Sequence, residues 1–144
     1  MPEASAKGSN VLLQPIEAYI RTEAPPPGDA LMVRGGPITS EKLREAAVRQ
    51  SRAYSLQGAP MTSISVHGVV AGGSLEGVLA GHLRTYKTYA ATFASRLELG
   101  GFTLLPTFEV PHFDIVLPNA TSHTLHTLLV ILGPPLVNPY KGPR

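Results

Sequence analysis

The stretch 106-PTFEVPHFDIVLP-118 holds the densest polar cluster of the chain on an ordered background. Two runs rich in aromatic and β-branched residues, Phe102–Glu109 and His112–Leu117, flank the dipeptide Val110-Pro111. Short alternating runs on either side of a turn signal are typical of an antiparallel strand pair. We therefore predict a β-hairpin here, and the rest of the fold is built around it.

The loop of this hairpin decides which side chains face each other. With a two-residue loop, Glu109 lies opposite His112 and Thr107 lies opposite Asp114, so these four side chains share one polar face. Because proline suits the second central turn position only with a cis peptide bond, a loop of four or five residues that includes Pro111 is the alternative. The polar face is either a carboxylate–imidazole site or an ordinary solvated sheet surface.

Composition narrows the classes of function. The 144 residues are long enough for one domain with a real core, and a net charge of +2 permits phosphate or nucleic-acid binding without demanding it. The absence of cysteine excludes disulfides, thiolate catalysis and cysteine-based zinc sites, and it fits a reducing cytoplasm. His123 and His126 are three residues apart on a predicted helix, but nothing completes a four-ligand set, so we expect no metal.

Nothing in the sequence predicts a membrane protein. The first ten residues lack the apolar core of a signal peptide, and the longest apolar run, Leu128–Leu132, is too short to span a bilayer. We expect a soluble cytoplasmic protein that does not associate with membranes.

Proline-rich composition suggests the domain boundaries. Residues 1–28 are predicted to be an N-terminal arm with a proline-rich spacer, residues 29–135 a single globular domain, and residues 136–144 a C-terminal tail. The arm carries apolar residues that must be buried on its own domain or on a partner. Self-association or docking to a protein partner through residues 11–28 is therefore an open alternative.

Hydrophobic periodicity predicts the order β-α-β-α-β-α-β-β-α. Thr39 and Ser74 stand where helix N-caps are expected, and a leucine stripe predicts a last helix at about 121–132. We predict an α+β fold, with a single small mixed sheet, helices packed on it, and a C-terminal β-hairpin followed by a helix.

Metal-independent cleavage of RNA is the first candidate function. It needs a base for the 2′-hydroxyl, an acid for the leaving oxygen and a cation over the phosphate. The catalytic candidates are Glu109 and His112 as base and acid, with Asp114 orienting His112. The phosphate- or nucleotide-binding candidates are Arg34, Ser63, Ser65 and His67, of which His67 is a second candidate acid.

A second candidate comes from residue order. Arg34 at the end of an early strand, the strand segment Ser63–Ser65 and Glu109 late in the chain resemble the arginine, serine and glutamate pattern of ADP-ribosyltransferases. That resemblance implies that Arg34 and the serines hold NAD while Glu109 assists transfer to the acceptor. The sequence departs from the pattern at Thr107, where such enzymes often carry Glu or Gln.

The sequence is compatible with three candidate functions. We expect a small toxin or defence-type effector that acts on RNA without a cofactor. The alternatives are an NAD-dependent ADP-ribosyltransferase-like toxin and a non-catalytic assembly subunit that docks through its N-terminal arm.

Overall fold

A computed structural model of the chain describes residues 19–56, 58, 60–70 and 72–142. Within these ranges the strands form one sheet in the order β4-β5-β2-β1-β3-β6, and every pairing is antiparallel. The strands are β1 (Leu31–Gly35), β2 (Ser63–Val69), β3 (Thr88–Phe93), β4 (Thr103–Pro106), β5 (His112–Val116) and β6 (Leu136–Val137). The helices are α1 (Ser40–Leu56), α2 (Leu75–His82), α3 (Ala94–Leu99) and α4 (Ser122–Leu132). The predicted α+β fold, with a hairpin followed by a helix, is confirmed.

Side-chain caps fix where three of these helices begin. The Thr39 hydroxyl accepts a hydrogen bond from the backbone N–H of Lys42, as Ser74 does from Gly77 and Thr121 from Thr124. Each cap satisfies a backbone N–H that has no partner within its helix. The capping roles predicted for Thr39 and Ser74 are confirmed.

Apolar side chains cover both faces of the sheet. Successive residues of a strand point to opposite faces, so Met32 joins a large cluster with Leu43, Leu97 and Leu128 of three helices. Its neighbour Val33 joins a smaller cluster on the other face. The other buried members of that cluster are Val78, Leu79, Leu83 and Tyr89. Helix α2 is therefore packed on the face opposite the main core. None of the helices in the described ranges combines the length and apolar character needed to cross a membrane.

The β4–β5 hairpin has a longer loop than the simplest register requires. Leu105 pairs with Asp114, and the backbone N–H of Thr107 donates to the carbonyl of His112. The loop therefore runs from Phe108 to Pro111, with a cis peptide bond before Pro111. The two-residue register is wrong and the longer loop is correct, because proline occupies a turn position.

The sheet divides beside β1. Strand β1 pairs with β2 only as far as Val33 and His67, whereas β2 continues along β5 to Ser63 and β1 continues along β3. The Ser65 carbonyl lies beyond the shared ladder, and the Arg34 guanidinium donates to it at 2.9 Å. The Arg34 side chain thus makes the hydrogen bond that a neighbouring strand would otherwise make to Ser65. A polar opening is left between β1 and β2.

The segment before β1 lies against the hairpin. Ile20 forms an antiparallel bridge with Thr107, and Arg21 Nη1 donates at 2.7 Å to the carbonyls of both Thr107 and His112. The Arg21 guanidinium also stands over the Phe113 ring. Residues 11–18 of the arm, on which a partner contact was predicted, lie outside the described residues.

The other end of the chain closes the opposite edge of the sheet. Strand β6, within the predicted tail, pairs with β3 through Leu136 and Val137. The following residue, Asn138, is buried, and its amide donates to the carbonyls of Leu83 and Tyr86. These contacts fix the turn that follows α2.

Candidate functional site

A fully buried carboxyl group lies beneath the polar face of the hairpin. Three hydroxyl groups donate to Asp114: those of Tyr54 at 2.7 Å, Thr107 at 2.9 Å and Ser63 at 3.1 Å. Burial, followed by the hydrogen bond to Asp114, raises the pKa of Tyr54 well above its ordinary value. Because Asp114 shows no exposed surface, it cannot contact a substrate, and its action is confined to the groups that surround it.

Thr107 connects this carboxyl group to His112. Its hydroxyl has one proton, which it donates to Asp114, so the same oxygen accepts from Nδ1 of His112 at 3.0 Å. The neutral His112 ring is therefore the Nδ1–H tautomer, and Nε2 carries the free lone pair. Among the described residues, none forms a hydrogen bond with that Nε2 atom.

Three imidazoles from separate elements stand in a row. The ring centroid of His67 is 5.5 Å from that of His112 and 5.0 Å from that of His82 on α2. Burial, reinforced by the neighbouring His112, His82 and Arg34, lowers the pKa of His67 to about 4. Burial also lowers the pKa of His112 below its ordinary value, against the opposing effect of Asp114. At neutral pH both half-buried rings are uncharged.

A small cavity of about 100 Å³ opens beside this row, in the gap between β1 and β2. Its lining includes Arg34, Ser65, His67, His82 and Tyr86. Burial lowers the pKa of Arg34, but a guanidinium stays protonated under all ordinary conditions. The cavity therefore combines one desolvated cation with the neutral imidazole of His67, which is an environment suited to an anion.

Ser65 lines the same cavity and carries a hydroxyl group. Its oxygen accepts from the Gln50 amide at 2.7 Å, and within the described part of the chain its own proton has no acceptor. The Gln50 carbonyl oxygen lies 3.2 Å from the Ser63 oxygen, but the single Ser63 proton is donated to Asp114, so the hydrogen bond from Gln50 orients Ser65 alone. The Ser65 hydroxyl is thus available to donate to a bound anion.

The predicted site residues separate into three groups. Arg34, Ser65 and His67 line one cavity, and His112 adjoins it through His67. Ser63 and Asp114 are both fully buried beneath them. Glu109 lies in the exposed loop, and its contact with His112 is made by its backbone carbonyl, which accepts from the His112 N–H.

Four contributors were not assigned to the site from sequence: Gln50, Tyr54, Thr107 and His82. Thr107 was predicted on the polar face but opposite the wrong residue, because the loop length was open. His82 shares the apolar stripe of a predicted helix, a pattern that indicates core packing. It lies next to His67 only because α2 packs over β2. In the sequence, His82 is recognisable only as a histidine in the last turn of a helix. That position does not distinguish a histidine of the core from a histidine of a functional site.

Among the residues that the structure describes, no group of three or more His, Asp or Glu side chains is arranged to hold a metal ion. His123 and His126 are both exposed on α4, as their position outside the leucine stripe predicts. Comparison with known proteins gives no further guide, since no protein-family model, curated protein or solved structure matches the chain.

Proposed function

We propose that this protein cleaves RNA by metal-independent acid–base catalysis at the cavity lined by Arg34 and His67. The observation that carries the proposal is the arrangement of three imidazoles beside one half-buried cation and a serine hydroxyl whose proton has no acceptor among the described residues. This set contains the groups that phosphodiester transfer requires: a base, an acid and a positive charge over the phosphate.

Each group has one role in the proposed reaction. Arg34 and the Ser65 hydroxyl bind the non-bridging phosphate oxygens. Nε2 of His112 accepts the proton of the 2′-hydroxyl, and the 2′-oxygen attacks phosphorus. The exposed imidazole of His82 donates a proton to the departing 5′-oxygen as the P–O5′ bond breaks. One proton is taken and one is given, and the products are a 2′,3′-cyclic phosphate and a 5′-hydroxyl.

His67 and Asp114 have supporting roles in the proposed reaction. The neutral His67 ring separates the base from the acid and keeps a second positive charge away from Arg34. Asp114 acts on His112 through Thr107, so it is a positioning residue and not a catalytic one. Glu109, the base expected from sequence, is given no role in this proposal, because its described contact with His112 is made by its backbone carbonyl and not by its carboxylate.

The test is the cleavage of a fluorescent RNA in EDTA by the wild type and by His112→Ala. We expect His112→Ala to lower the rate by about 10²–10⁴-fold, which is the usual contribution of a positioned base. His126→Ala is the matched control because it removes an exposed imidazole from α4, and it should cut RNA like the wild type. If the wild type leaves RNA intact, or if both variants are equally active, the proposal is wrong.

A role as a toxin or defence-type effector extends this proposal from chemistry to biology. RNA cleavage by the wild type predicts growth arrest when the protein is produced in a bacterium. Production of His112→Ala at the same level should leave growth unchanged. Arrest by both proteins would disconnect the effect from the proposed active site.

A further inference from the structure

Tyr86 stands at the rim of the cavity and is not used by the proposed reaction. It lines the same small cavity as Arg34 and His67, yet the residue keeps 41% of its surface exposed. An aromatic ring with a free face beside an anion site is the usual element of single-strand recognition, because a base can stack on it. We infer that Tyr86 is the stacking platform for a nucleobase next to the scissile phosphate, and that the substrate is single-stranded RNA.

Two glycines hold the ring in place from one side. A Cβ atom added to Gly35 would stand 2.5 Å from Cδ2 of Tyr86, and one added to Gly36 would stand 3.3 Å from its Cδ1. Only a residue without a side chain allows the ring to lie so close to the β1 backbone. The packed face of Tyr86 is therefore against the protein, which leaves its other surface for a ligand.

The backbone of Tyr86 is also fixed. Its N–H donates to the carbonyl of Leu83, and its own carbonyl accepts from the buried amide of Asn138. Asn138 binds the Leu83 carbonyl as well, so a side chain after β6 fastens the whole turn after α2. An ordered ring loses little entropy when a base stacks on it, and this favours binding.

This arrangement selects against a duplex. In a double helix each base stacks between its neighbours and pairs across the helix, so neither face is free to meet Tyr86. The cavity accepts a phosphate beside the ring only when the adjoining nucleotide is splayed out. The identity of the substrate as RNA rests on the proposed function. The stacking role of Tyr86 concerns binding, so it is tested separately from cleavage.

The experiment measures binding of a fluorescent 2′-O-methyl octanucleotide, which lacks the attacking hydroxyl and is not cleaved. Its dissociation constant is compared for the single strand and for the same strand in a duplex. We expect the wild type to prefer the single strand, and Tyr86→Ala to weaken that binding by at least about fivefold. Tyr86→Phe, which keeps the stacking surface, should bind as the wild type does.

Two further variants keep the test decisive. Tyr86→Leu retains apolar contact with the glycines but has no aromatic face, so it should bind weakly while its melting temperature stays close to that of the wild type. Phe93→Ala is the matched control, since Phe93 is 48% exposed and lies at the opposite end of β3. Equal binding by the wild type and Tyr86→Leu, or equal losses on the single strand and the duplex, would overturn the inference.

The outcomes separate the two proposals. Tyr86-dependent binding of the single strand without cleavage of natural RNA would support the platform and contradict the catalytic proposal. Cleavage of natural RNA with an unchanged KM in Tyr86→Leu would contradict the platform and leave the catalytic proposal intact.

Discussion

The chemistry of His112 depends on a single hydroxyl group. Thr107 donates to Asp114 and accepts from Nδ1 of His112, so the orientation and tautomer of the ring both follow from one buried oxygen. Sequence inspection identifies Thr107, His112 and Asp114 as one polar cluster. It does not identify this relay, because the relay requires Thr107 to face His112, and that register depends on the loop around Pro111.

Removing the Thr107 hydroxyl should therefore impair the proposed RNA cleavage more than RNA binding. In Thr107→Val the His112 ring loses its Nδ1 partner, and we expect kcat to fall by about 10–100-fold with little change in KM. Asp114 also loses a donor, which should lower the free energy of unfolding by about 1–3 kcal/mol. Single-turnover cleavage measures the change in the catalytic rate, and denaturant unfolding measures the change in the free energy of unfolding.

Thr107→Ser is the control because it keeps the hydroxyl and removes only a methyl group. It should restore most of the rate and the Nδ1–H tautomer seen in ¹⁵N spectra of His112. Equal activity of Thr107→Val and the wild type would show that the relay has no part in catalysis.

His67 makes stability depend on pH. Its pKa of about 4 in the folded protein lies below the ordinary value of 6.5, so between these values the unfolded chain binds a proton that the folded protein does not. The resulting stabilisation is present above pH 6.5 and is lost as the pH falls towards 4. After allowance for partial exposure, we expect this loss to be about 1–2 kcal/mol.

Denaturant unfolding across pH 4–7 tests this expectation. His67→Phe keeps a ring between His82 and His112 but does not titrate, so its stability should fall less steeply on acidification. His112, whose pKa is also lowered, contributes to the pH dependence of both proteins. Identical slopes for the two proteins would mean that His67 does not titrate as the structure implies.

At the scale of elements, the hairpin and the segment before β1 form one unit. Strands β1 to β5, the caps and the helix order were predictable, because periodicity and capping residues are local properties of the chain, whereas β6 fell in the predicted tail. The docking of Arg21 on two hairpin carbonyls was not predictable, because it joins residues that are far apart in sequence and shows no periodic pattern.

Arg21→Ala should loosen the hairpin. Two hydrogen bonds from a charged donor and its contact with Phe113 are lost, and we expect the free energy of unfolding to fall by about 2 kcal/mol. Hydrogen exchange at the backbone amides of β5 should accelerate at the same time. Arg96→Ala, which removes an exposed arginine from α3, is the control and should change neither quantity. Unchanged exchange in Arg21→Ala would contradict this account of the arm.

At the scale of the whole molecule, the candidate site is formed because the sheet order brings distant residues together. Strand β2 lies between β5 and β1, so His67 meets His112 on one side and the opening beside Arg34 on the other. Packing of α2 over β2 adds His82 to this row. Sequence pattern indicates which face of a strand is polar, but it does not give the order of strands, and the convergence of these residues was therefore an open question.

The nature of the cleavage product tests the central claim most directly. The substrate is a deoxyribonucleotide strand that carries one ribonucleotide. It is incubated with the wild-type protein in EDTA, and the products are analysed by mass spectrometry. We predict cleavage only on the 3′ side of the ribonucleotide, a 2′,3′-cyclic phosphate end, and no cleavage of the all-deoxy strand. An intact mixed strand, or cleavage at deoxyribonucleotide positions, would contradict the assignment of Arg34, His82 and His112 to RNA cleavage.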